Sequence, residues 1–197
     1  SYQKLADIPY SYNGVRAVDM NNEILSSYAS FDPIDLTAFG YPASGVIEKG
    51  KLGLQLDVCI SGKDAVVKAM ETVTLGGQLE ISSGGTCDVE ELCVPASVIK
   101  WKANEWNRVV VDLADIKAPT GGVFDPSNFN YVRMYVGGLG AYQGQHAYVK
   151  VANMQVVDLT RSLSAEEAPA LGDGTPADEV PPQSITYDEP AYKELTY

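Results

Sequence analysis

Leu54-Gln55-Leu56-Asp57-Val58-Cys59-Ile60 is the stretch on which the fold class turns. Apolar Leu54, Leu56, Val58 and Ile60 alternate strictly with Gln55, Asp57 and Cys59. Successive side chains of a strand point to opposite faces, so this period of two describes a strand with one buried and one polar face. The pattern recurs outward along the chain. Leu79 and Ile81 alternate with Gln78, Glu80 and Ser82, and Val109, Val111 and Leu113 with Arg108, Val110 and Asp112. Val132, Met134 and Val136 alternate with Tyr131, Arg133 and Tyr135, and Val149 and Val151 open a last run ending near Asp158. Antiparallel sheets leave one face to water in this way, whereas parallel sheets are covered on both. Several such strands divided by Gly, Pro and Asn turns predict an all-β antiparallel sandwich or barrel, with the sandwich expected.

The flanks read differently. Residues 1–50 carry turn signals at Asn13-Gly14, Asp32-Pro33, Tyr41-Pro42 and Ser44-Gly45, with a short strand-like piece at 15–20. They are expected to be largely irregular. Residues 63–72 suit a short helix, although Val66, Val67 and Val73 suit a strand equally. Residues 161–197 hold Pro169, Pro176, Pro181, Pro182 and Pro190, eight acids and two bases, and so half of the net charge of −12. That composition describes a linker, or a tail docked on the body through Tyr187, Tyr192, Leu195 and Tyr197. The expected division is therefore a β-sandwich over 1–160 and an acidic, Pro-rich linker or docked tail over 161–197.

Charge and composition exclude several classes. With 14 Lys and Arg against 26 Asp and Glu, the chain lacks the basic clusters that bind phosphate, so neither nucleic acid nor an anionic membrane is an expected partner. No run approaches the roughly 18 apolar residues that span a bilayer. One histidine in 197 residues leaves no His cluster for zinc and little support for a Ser-His-Asp site. Cys87 and Cys93 flank a short acidic loop and are either bonded or free; Cys59 reads as a small core residue. A bonded pair would favour an extracellular setting.

Four segments together resemble a known class: QLEISSGGTCDVEE at 78–91, NEWNRVVVDL at 104–113, FDPSNFNYVRMY at 124–135 and YVKVANMQVVD at 148–158. They are similar to the β-jelly-roll, galactose-binding-like carbohydrate-binding modules of secreted polysaccharide-degrading systems in gut and rumen bacteria. The likeness covers residues 51–160. It departs from the pattern at Ala152-Asn153, where such modules often carry Asp-Asn. It implies a jelly roll, a secreted or cell-surface setting, linked domains in a multi-domain protein such as a cellulosome component, and no cofactor beyond a structural calcium ion. Asp19, Glu23 and Asp158 are acids near the expected sandwich ends, without a defined ligand geometry.

Sugar sites combine flat aromatic faces with side chains that hydrogen-bond hydroxyls in fixed directions. If the apolar sets point inward, Gln55, Asp57, Gln78, Glu80, Arg108, Asp112, Tyr131, Arg133, Tyr135, Tyr148 and Lys150 share a polar, Tyr-rich face. That face is either a concave saccharide surface or a solvated sheet with cross-strand ion pairs, such as Arg133 with Asp57 or Glu80. Trp101, between Lys100 and Lys102, is either a half-exposed stacking platform or edge packing. Trp106 sits where a core residue is commoner. The loop at 137–146 offers glycines, Tyr142, Gln143, Gln145 and His146. Asp88, Glu90 and Glu91 read as a solvated acidic turn rather than a hydrolytic pair facing across a cleft.

The function expected on these grounds is non-catalytic attachment to plant β-glucan or starch, through Trp101, Tyr131, Arg133, Tyr135, Tyr148, Gln55, Asp57 and Tyr142. The rivals are a protein-interaction or spacer module and a small jelly-roll glycan hydrolase or lyase. Exposed Trp101, Tyr131, Tyr135 or Tyr148 along a groove favours the first reading; buried rings weaken it.

Overall fold

The computed structural model describes residues 1–9, 17–19, 25–138 and 146–172. Among these, ten strands form two antiparallel sheets of five strands each. The first sheet runs β1 (Tyr2–Asp7), β10 (His146–Ser162), β4 (Leu52–Gly62) and β7 (Asn107–Asp112), with β2 (Ala17–Asp19) also paired to β10. The second runs β3 (Leu25–Ile34), β9 (Phe129–Gly137), β5 (Gly76–Ser82), β6 (Glu91–Pro95) and β8 (Ala118–Thr120). The chain crosses between sheets after β2, β3, β4, β6, β7 and β9, so sequence neighbours are often not sheet neighbours. This is the antiparallel β-sandwich that the alternating strands predict.

The alternating sets do point inward. Leu54, Leu56, Val58 and Ile60 of β4 are each at most 1% exposed, and they pack in one cluster with Leu79, Ile81, Val94, Val109, Val111, Val132, Met134, Val136, Val149 and Val151. Near its middle β10 shifts register: Ala152 pairs with Asp57, but Gln155 pairs with Gln55. One extra residue is accommodated by a bulge, with Asn153 at φ +50°. The bulge preserves the inward set, because Met154 and Val156 are buried beyond it as Val149 and Val151 are before it.

The described residues of 1–50 hold more strand than expected. They supply β1, β2 and the ten-residue β3. Neither YQKLAD nor LSSYASFDPI alternates cleanly, since both are held by backbone pairing, to β10 and β9 respectively. Pro33 lies in β3, an edge strand, where a missing N–H breaks no ladder on the open side. Residues 64–70 form the helix α1 (Asp64–Met70), burying Val67 and Met70. Asp112 belongs to no ligand face: its carboxylate accepts from Ala114 N (2.9 Å) and Gly50 N (2.7 Å), closing two turns.

Candidate functional site

The expected single polar face is in fact two faces on opposite sides of the sandwich. Gln55, Asp57, Arg108 and Lys150 lie on strands of the first sheet; Gln78, Glu80, Tyr131, Arg133 and Tyr135 lie on strands of the second. Alternation tells inward from outward on each strand, but it does not assign strands to sheets.

On the first sheet Gln55 and Asp57 are fully buried, so neither meets solvent. Arg108 donates to both Asp57 oxygens, Nε to Oδ1 at 2.8 Å and Nη2 to Oδ2 at 3.0 Å. Residues 169–172 cover this pair. Cys59, expected in the core, is buried on this same outward side of β4.

The second sheet brings Tyr131, Arg133 and Tyr135 side by side, but not as open platforms. Tyr131 is 5% exposed and stacks on Tyr28 at 6.2 Å. The Arg133 guanidinium sits 4.4 Å from the centre of the half-buried Tyr135 ring and 3.7 Å from Glu80. The anticipated Arg133–Glu80 ion pair thus exists, and it occupies the ring face a sugar would need. Glu91, expected in a solvated turn, is fully buried on β6 opposite Ser82, two pairs along from Glu80 opposite Cys93 and so on the same face. Glu80 Oε2 and Glu91 Oε1 are buried oxygens that no N–H or O–H reaches. A proton between the two carboxyls satisfies both. Burial, then the adjacent Glu91 carboxylate, push the Glu80 carboxyl up to about 8 against the opposing pull of Arg133. Burial and the same two glutamates also raise the Cys93 thiol. No disulfide joins Cys87 to Cys93, and Cys59 is likewise in no disulfide.

The open site lies elsewhere, at Trp101. A cleft of about 540 Å³ is lined by Glu71, Thr72, Thr74, Ser97, Lys100 and Trp101, with Val73, Leu75 and Ile99 behind them. That size falls in the range of small-ligand sites, ~300–1,000 Å³. Its walls are held from several sides. Glu71, at the end of α1, accepts from the Ala103 N–H through Oε1. Asn107 closes the loop that carries Trp101, accepting from Lys102 N (2.7 Å) and donating to Lys102 O (3.0 Å) and Glu105 O (2.9 Å). Asn104, at φ +57°, ties the same loop to β4 through Ile60 O (3.0 Å) and Gly62 N (2.8 Å). Trp101 is half-buried, one edge packed on the core cluster. The arrangement joins an indole, three hydroxyls, an ammonium and a carboxylate in one hollow. It can stack one ring and hydrogen-bond its substituents.

Of the eight expected site residues, only Trp101 lines this cleft. Tyr142 and the side chain of Tyr148 lie outside the described residues. The cleft's other walls were missed because Thr72, Thr74 and Ser97 stand in connections without a strand pattern to flag them. A second hollow of about 250 Å³ is largely apolar, between Tyr41, Pro42, Leu92, Val123, Phe124 and Pro126. Among the described residues no three His, Cys, Asp or Glu side chains gather to hold a metal. Asp158 Oδ1 accepts instead from Thr160, at 2.9 Å from N and 2.6 Å from Oγ1. No described helix is long and apolar enough to cross a membrane.

No family model and no curated protein matches the chain. Among solved structures it is similar to an exo-β-agarase at TM-score 0.41 and 8% identity, over 80% of this chain and 25% of that one. It is similar to a CBM4 structure at TM-score 0.29 and 11% identity, over 74% and 94% of the two chains. A sialidase gives TM-score 0.28 and 12% identity, over 78% and 18%. The chain thus spans about a quarter of the length of the agarase.

Proposed function

We propose that this chain is a non-catalytic carbohydrate-binding module whose Trp101 cleft takes a neutral saccharide. The observation that carries this reading is the cleft itself: a half-buried indole lining a hollow of about 540 Å³ together with Thr72, Thr74, Ser97, Lys100 and Glu71. A pyranose ring presents apolar C–H groups to the indole and hydroxyls to the rim, so both halves of the ligand find complements. A plant β-glucan or starch is the expected source. The chain works at the cell surface or after secretion, attaching linked domains to the polymer, and needs no cofactor for that task. A shallow, wet site of this kind binds in the micromolar-to-millimolar range, at about −8 to −4 kcal/mol. Catalysis is not proposed, because the buried Glu80–Glu91 pair has no access to a substrate.

Affinity gel electrophoresis against soluble glucans, xylans, mannans, pectins and starches tests the proposal. One class should retard the parent, and Trp101→Ala should weaken retardation at least about tenfold. Because Trp101 also packs on the core, Lys100→Ala and Thr74→Ala accompany it and should each weaken binding without lowering the melting point. Parent mobility unchanged by every polymer would sink the proposal. The apolar hollow at Tyr41, Val123 and Phe124, with Val123 87% exposed, then favours the protein-interaction reading.

A further inference from the structure

Residues 163–172 leave the end of β10 and turn back across the first sheet. The turn is closed by Glu167 N and Ala168 N donating to Ser164 O at 3.1 and 3.0 Å. Beyond the turn the segment is held by its backbone. Arg108 Nη1 donates to Pro169 O at 2.6 Å and Nη2 to Ala170 O at 2.9 Å. Asp57 Oδ2 accepts from Gly172 N at 2.9 Å, and Asn153 Nδ2 bridges Asp57 Oδ2 (2.8 Å) and Ala170 O (3.3 Å). The side chains of the segment are not read: Pro169, Ala170 and Leu171 are all exposed, Leu171 by 50%. Gly172 alone is constrained, since a Cβ there would sit 3.1 Å from both the Trp106 ring and the Ala152 methyl.

We propose that the outer face of the first sheet is a docking site for an extended peptide segment, filled by the chain's own residues 168–172. Its partner is defined by chemistry. Two successive carbonyls meet Arg108, an N–H two residues later meets Asp57, and a residue without a side chain lies on Trp106. Arg108 and Asp57 are built for this before the segment arrives, because each fixes the other through two hydrogen bonds. The β10 bulge has the same use, turning Asn153 outward to the site. The docked segment fixes where the chain leaves the sandwich and withdraws Asp57 and Arg108 from any other ligand. This goes beyond the saccharide reading and does not depend on it.

Gly172→Val tests the proposal without touching a sheet residue. In the full chain the amide at position 172 should exchange with solvent at least about tenfold more slowly than in an unstructured peptide. In Gly172→Val it should exchange at the unstructured rate, while β4 and β7 amides keep theirs. Arg108→Ala should release the same amide, and agreement of the two variants separates docking from damage to the sheet. A parent amide already at the unstructured rate, or one still protected in Gly172→Val, overturns the proposal.

Discussion

Glu80 holds a proton that the unfolded chain would release. Glutamate ordinarily ionises near 4.5, and in the fold Glu80 does so at about 8. The folded chain therefore carries the extra proton between those limits, and stability falls as pH rises through them. For one proton the loss is at most about 1.4 kcal/mol per pH unit. The groups facing Glu80 are Tyr131, Arg133 and Tyr135 of β9, Glu91 and Cys93 of β6, and Asp88 of the covering loop. Glu80→Gln replaces the proton with a permanent N–H donor to Glu91. Denaturant unfolding at pH 5 to 8 should show a shallower decline for this variant than for the parent; parallel declines would contradict the shared-proton account. None of this was legible from the residues. Glu80 and Glu91 occupy outward positions, where a carboxylate normally meets water, and they are buried by neighbours the alternation does not reveal, Arg133 and the loop that returns over this face. Trp101 was legible, because a tryptophan between two lysines has a reason to stay at the surface.

The loop at 83–90 is held as firmly as a strand. Ser83 N donates to Glu90 O (3.1 Å), Ser82 Oγ to Val89 O (2.6 Å), Gly85 N to Asn130 Oδ1 (2.9 Å) and Asp88 N to Glu91 Oε2 (2.8 Å). Asp88 and Glu90 take positive φ of 61° and 45° within it. A second loop closes on it, with Glu90 N donating to Gly121 O at 3.0 Å. Gly121 stands at φ +69°, and a Cβ there would fall 1.8 Å from Asp88 O. Gly121→Ala should therefore cost more than about 1 kcal/mol and unseat the loop over Glu80. A melting point unchanged by this substitution would contradict that contact. Its sequence, Gly121-Gly122, reads only as a turn; the demand for glycine comes from a segment more than thirty residues away. The strands of the middle zone were legible for the opposite reason, since their period of two is a local property.

The two sheets close on one continuous core, so the sandwich should unfold in a single transition. The amide at position 172, held by one hydrogen bond at the surface, should exchange well before that transition. Two separate transitions would contradict a shared core. At this scale the alternation foretold the layers but not the assignment of strands to them, because that depends on crossovers after β2, β3, β4, β6, β7 and β9. Hence one anticipated polar face became two: one covered by the chain's own tail, the other by a loop and by Arg133. Among the described residues, the half-buried Trp101 lines an open cleft. Its claim to function can be read from the two tryptophans, Trp101 in the cleft and Trp106 under Gly172. Each contributes its own indole N–H signal to a nitrogen–proton correlation spectrum. On titration with β-glucan and α-glucan oligosaccharides, the account predicts that the Trp101 signal shifts in proportion to saturation while the Trp106 signal stays in place. A Trp101 signal unmoved by every oligosaccharide at millimolar concentration, or a shift at Trp106 alone, would contradict it.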